Sequence, residues 1–141
     1  MTLKEQVTSV ELSNKLHKLG VTAPSMFYRE WTGAKEDEIE ISKEPDYCPD
    51  NVNCYSVAEL GDMLPRYEEW TTASTPDNPP EGDSSGIHIF TSFYNGKWQV
   101  EFDSETYIEK INDLPTFRAD TEADARAKCL IYLIENNLIT L

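Results

Sequence analysis

The 141-residue chain is poor in bases, with 12 lysines and arginines against 26 aspartates and glutamates, a formal net charge of -14 at pH 7. An acidic surface gains no counterion release at nucleic-acid phosphates or anionic lipid, so direct binding to either is disfavoured. Long apolar runs are missing too: none approaches the roughly 18 residues of a membrane span. The opening Met-Thr-Leu-Lys-Glu-Gln-Val7 carries no apolar leader segment. A cytoplasmic location is expected. Cysteine is scarce, odd in number and unevenly spaced at Cys48, Cys54 and Cys129, which argues against a disulfide framework. There is no glycine-rich phosphate loop, nucleophile elbow, paired-histidine zinc helix or EF-hand loop. Enzymatic function is disfavoured accordingly, and the enzyme alternative is a small hydrolase or metal-dependent enzyme with its site dispersed along the chain.

The two histidines, His17 and His88, have no Ser, Cys or acid at a spacing that makes either half of a dyad. Cys48 and Cys54 enclose five residues, wider than the two to four of a zinc knuckle, and a histidine would have to arrive from afar to complete a tetrahedron. No metal and no cofactor are expected. Both cysteines read as ordinary loop thiols, and Cys129 as a small core hydrophobe.

Helix signals are strong. Thr8-Ser-Val-Glu11 has the form of a capping box with Val7 and Leu12 as its hydrophobic staple. Leu12, Leu16 and Leu19 then make one apolar stripe, and Gly20 stops the helix. A second box, Ser56-Val-Ala-Glu59, opens a short helix ending by Leu64-Pro65. The last helix has Asp120 or Thr121 as N-cap, acids in its first turn, an Ala-rich middle, an apolar run almost all round and Asn136-Asn137 as a stop.

Two β-hairpins are expected. Met26 to Trp31 and Glu38 to Ser42 nearly alternate, with Ile39 and Ile41 facing inward. Ile87 to Tyr94 and Lys97 to Phe102 flank Asn95-Gly96, whose two positive φ angles suit a type I′ turn and fix the register. Counting outward opposes Phe93 with Trp98, Thr91 with Val100 and Ile89 with Phe102 on a core face shared with Ile87. Leu130, Ile131, Leu133, Ile134 and Leu138 should cover that face. Residues 103–119 read as an irregular connection with one short edge strand. Residues 68–86, rich in Pro, Gly, Ser, Thr and acids, read as a long mobile loop between the second helix and the second hairpin.

The expected fold is therefore one α+β domain over residues 1–141, an antiparallel sheet built from two β-hairpins with three helices packed mainly on one side. The far face of the second hairpin carries Phe90, Tyr94, Lys97, Gln99 and Glu101, and aromatics among polar groups are what partner anchors look like. The expected function is a non-enzymatic accessory or protein-binding module, its partner a protein with a basic surface. A second alternative is a DNA mimic, whose carboxylates compete with phosphates for the groove of a nucleic-acid-binding protein.

The C-terminal pattern Thr-x-Ala-x-Ala-Arg-Ala-x-x-Leu-Ile-Tyr-Leu-Ile-Glu-Asn136 resembles the ending of a family of small uncharacterised proteins encoded in bacteriophages and prophages. Tyr55-Ser-Val-Ala-Glu-Leu-Gly-Asp-Met-Leu-Pro65 is similar to the same family closely, and Val10 to Gly20 loosely. The resemblance implies a shared fold and a phage or prophage origin, with a host or phage protein as partner. It brings no activity and no site.

Overall fold

The computed structural model of the chain describes residues 1–30, 39–41, 51–65, 87–104 and 114–140. The expected mobile loop at 68–86 and Cys48 lie outside the described residues. Four helices are described: α1 (Leu3–Gln6), α2 (Val10–Lys18), α3 (Val57–Met63) and α4 (Glu122–Glu135). The strands are β1 (Phe27–Glu30), β2 (Glu40–Ile41), β3 (Asn51–Asn53), β4 (Ile87–Tyr94), β5 (Lys97–Ser104) and β6 (Phe117–Ala119). The fold is α+β with antiparallel sheets.

The box at Ser56 forms as its residue types require. Ser56 Oγ accepts the Glu59 N–H at 3.3 Å and Glu59 Oε2 accepts the Ser56 N–H at 2.8 Å. The box expected at Thr8 does not form, and Ser9 is the N-cap of α2. Thr8 is drawn elsewhere by a tertiary neighbour: its buried hydroxyl accepts the Tyr55 N–H at 3.1 Å and lies 2.6 Å from Ser13 Oγ, next to the bridge between Val7 and Ser56. The α1 turn ahead of it, where the Glu5 carboxylate accepts the Thr2 N–H, has no counterpart in the sequence reading.

Both long helices stop where the sequence says. Gly20, at φ 81°, donates to His17 O at 3.0 Å, and Val21 reaches back to Leu16 O at 3.1 Å. Asn137, at φ 54°, donates to Ile134 O at 3.0 Å, and Leu138 to Leu133 O at 2.8 Å. These paired bonds satisfy carbonyls that a helix end leaves open, with a left-handed residue at each reversal. Thr121 is the N-cap of α4 and accepts the Asp124 N–H at 3.2 Å.

The second hairpin has the register the turn dictates, with Phe93 opposite Trp98, Thr91 opposite Val100, Ile89 opposite Phe102 and Tyr94 opposite Lys97. Asn95 and Gly96 have φ of 52° and 75°. β6 adds to the outer side of β5 as the short edge strand, giving the order β4-β5-β6. The first hairpin pairs Phe27 with Ile41 and Tyr28 with Glu40. It does not join the second: β3, which no periodicity announced, pairs with β1 and completes a separate sheet of order β2-β1-β3. Ile41, expected to face inward, is exposed, because no described element covers its side of this two-residue strand.

α4 is the pillar of the core. It packs on β5 and β6 on one side and on α1, α2 and α3 around the rest, which is why it is apolar almost all round and alanine-rich where neighbours come closest. Ala123, Ala125, Ala127, Cys129, Leu130, Ile131 and Leu133 are all buried. Gly61 belongs to the same close packing, since a Cβ there would meet Arg126 Nη1 at 3.1 Å. Leu16, Val21, Tyr55, Leu60, Leu64, Val100, Phe117 and Ala119 complete the buried cluster, and Ile89, Trp98, Phe102 and Ile134 are among the half-buried residues at its margin. Leu138, expected to cover the hairpin, lies past the helix end and is exposed.

Candidate functional site

The residues singled out on the far face of the second hairpin do not share one environment. Phe90 and Tyr94 are 42% and 61% exposed. Lys97 is exposed and paired with Asp120. Glu101 is half-buried and accepts a bond from Thr116 Oγ1 at 3.3 Å. Gln99, expected at an accessible rim, is only 8% exposed, because it stands on the middle strand between Ser92 and Arg118. Its amide donates to Ser92 Oγ at 3.4 Å and accepts from Arg118 Nε at 3.0 Å, so both ends are occupied within the sheet.

The opposite face holds a feature that alternation alone assigned to the core. Phe93 is 61% exposed, although its parity places it with Val100 and Trp98. α4 lies across β5 and β6, and β4 packs mainly on β5, so the turn end of β4 extends beyond the helix. Phe93 instead rests on Trp98, with ring centroids 5.4 Å apart and planes tilted by 59°. In the middle of β4, Arg126 Nη2 donates to Thr91 Oγ1 at 3.0 Å and to Glu122 Oε1 at 2.8 Å, closing the gap with polar groups.

Trp98 also walls a cleft of about 840 Å3 that opens where α1, the start of α3 and the start of α4 meet β5. Met1 and Val57 supply further apolar lining, and Glu5, Asp120 and Glu122 supply carboxylates. Bonds from Thr2 hold the Glu5 carboxyl below its ordinary range, and the bond and charge of Lys97 do the same for Asp120. A general acid at neutral pH needs the reverse shift, so these two groups remain anions and suit attraction of a cation. No single run of acids announced this set: Asp120 and Glu122 stand together at the start of α4, but Glu5 is far away in sequence and reaches them only because α1 packs on α4.

The thiols and the buried cation offer less. Cys54, expected as a loop thiol, is wholly buried at the end of β3, and Cys129 is wholly buried in α4. Burial raises the Cys54 pKa, opposed by the Arg29 charge, and pushes that of Cys129 up to about 12. Neither thiolate is populated at neutral pH. Both should therefore resist a thiol reagent in the folded protein and react at the unfolding transition, counted by mass spectrometry per cysteine; rapid labelling of either in the native state contradicts this burial. Arg29, 5% exposed, donates through Nη1 to Thr8 O at 2.9 Å and to Ser13 Oγ at 3.1 Å. His17 is half-buried on α2, and the His88 side chain lies outside the described residues. Among the described residues no three His, Cys, Asp or Glu side chains come together as a metal site. Comparison with family models, with curated proteins and with solved structures gave no match to this chain.

Proposed function

We propose that this chain is a non-enzymatic protein-binding module of bacteriophage or prophage origin, and that its partner presents lysine or arginine to the cleft beside Trp98. The observation that carries this reading is geometric: the carboxylate-bearing residues Glu5, Asp120 and Glu122 line one cleft with Trp98. Trp faces attract cations, worth roughly 0.5–2 kcal/mol as desolvation increases, and carboxylates fix the same group at its other side. The net charge of -14 adds long-range attraction for a basic surface. A protein that ordinarily grips nucleic acid is one such partner. Phe90 and Tyr94, on the far face, form a second patch that the same partner can reach round the hairpin end.

The test is capture from host lysate with the full chain and with an E5K/D120K variant, at low and raised salt. Both side chains lie at the surface, so the variant should fold with an unchanged far-ultraviolet spectrum. Capture should fall by about tenfold or more, the loss for an anchor worth roughly 1.4 kcal/mol. Raised salt should weaken capture by the unaltered protein in the same direction. Equal capture by both proteins rejects the cleft, and a parallel Phe90→Ser/Tyr94→Ser variant then shows whether the far face is the contact.

A further inference from the structure

Resting on the reading of the cleft as a cation site, we infer that its occupant is an arginine of an extended partner segment, with the guanidinium on Trp98 and an apolar side chain two residues away on Phe93. Three carboxylates border the cleft, and each spends one oxygen within the chain. Glu5 Oε2 accepts from Thr2, Asp120 Oδ1 from Lys97, and Glu122 Oε1 from Thr91 and Arg126. Those bonds orient the carboxylates, and among the described residues no donor takes the second oxygen of any of the three. The free acceptors belong to two elements, Glu5 to α1 and the other two to the start of α4. A flat fork of five N–H donors can reach acceptors on both, whereas an ammonium is a point charge with three.

The walls favour the same cation. Met1, Val57, Ala58 and Trp98 give the cleft a largely apolar lining, and a strongly hydrated ammonium must shed water to enter it. A guanidinium is more weakly hydrated and stacks on an indole face. Asp120 and Glu122 already meet the charges of Lys97 and Arg126, so attraction at close range is shared and the shape of the incoming cation decides. At longer range the net charge of -14 draws in a basic segment. Phe93 supplies the second half of the surface. It stands opposite Trp98 on the same face of the hairpin, is 61% exposed, and its ring centroid lies 5.4 Å from that of the indole. Residues two apart in an extended chain put their side chains on one side about 6.6 Å apart, close to that spacing. An arginine stacked on Trp98 therefore sets its second neighbour over Phe93, where an apolar side chain covers a ring that the chain's own helix leaves bare.

The probe is the peptide acetyl-Leu-Ser-Arg-Ser-Leu-amide, which carries leucine two residues from arginine in either direction. It is titrated into the full chain and followed by the Trp98 indole N–H in two-dimensional NMR, a signal identified by its loss in Trp98→Phe. That signal should shift with a Kd of about 1 mM, the range of a single anchored side chain. Lysine in place of the peptide arginine should weaken binding by about tenfold, and so should E5K/D120K in the chain. Serine in place of both leucines should weaken it by about threefold. Phe93→Ser, at an exposed position, should erase the leucine effect and keep the preference for arginine. Equal affinity for the arginine and lysine peptides overturns the inference while the cleft remains a cation site, and so does a leucine effect that survives Phe93→Ser. A Trp98 shift that E5K/D120K does not diminish overturns the inference and the cleft reading together. No Trp98 shift up to about 10 mM peptide overturns the inference alone, and capture from lysate then decides the cleft.

Discussion

Leu130→Ala is expected to lower the stability of the folded chain by about 3 to 5 kcal/mol, the upper range for removing a buried leucine side chain. Leu130 has no exposed surface, and neither has Leu133 one turn on, so the lost methyl groups leave a void rather than a surface dent. The void also resists collapse. Collapse relieves a cavity where one neighbour can move in, but α4 is held between β5 and β6 on one side and three helices around the rest. Urea unfolding checks this, through a lower midpoint at an unchanged slope. Leu138→Ala, at an exposed position beyond the helix end, should cost less than about 1 kcal/mol in the same titration. Equal losses at the two positions would mean that α4 is not the pillar described.

Glu59→Ala is expected to cost about 2 to 3 kcal/mol, far more than a surface glutamate on a short helix normally would. Its carboxylate accepts the Ser56 N–H at 2.8 Å and closes the cap of α3. The other oxygen accepts the Met26 N–H at 2.9 Å, and Ser25 Oγ lies 3.2 Å from the first. One side chain therefore starts a helix and ties the approach of β1 to it. Alanine leaves these donors short of a charged acceptor, and charge-assisted bonds are worth roughly 1.5–3 kcal/mol each. Glutamine at the same position keeps an acceptor oxygen and should recover part of the loss. If Glu59→Ala unfolds within about 0.5 kcal/mol of the unaltered chain, the tie to Met26 is not made in solution.

These two positions show different degrees of legibility. The Ser56 box could be read because all its partners lie within four residues, and only the bond to Met26 was hidden. The same signature at Thr8 misled, because a capping hydroxyl goes to whichever donor is nearest, and Tyr55 and Ser13 are nearer in the folded chain than the helix amides. Local patterns state what a residue can do, and competition decides which of those it does. Arg29 is the plainest case: no local pattern marks it out, yet it is buried with its Nη1 donating to Thr8 O and Ser13 Oγ.

The proposed surface was legible in half. Asn95-Gly96 determined by itself which residues share a face, because a two-residue turn with both φ angles positive permits one register. What no local pattern contains is how far a helix reaches across a sheet. α4 covers β5 and β6 and leaves the end of β4 bare, so Phe93 passes from expected core to open surface; on the other face Gln99 passes from expected rim to interior because it is flanked on the middle strand by Ser92 and Arg118. The sequence by itself determined the α+β class, the helix stops at Gly20 and Asn137, the hairpin register and the net charge, all of which depend on contiguous residues or simple counts. Only the tertiary structure decided that the hairpins lie in separate sheets, that α1 exists, and that Glu5, Asp120 and Glu122 meet beside Trp98. Each of these needs contacts between segments far apart in the chain, whose geometry is set by packing around α4 and is written in no local period.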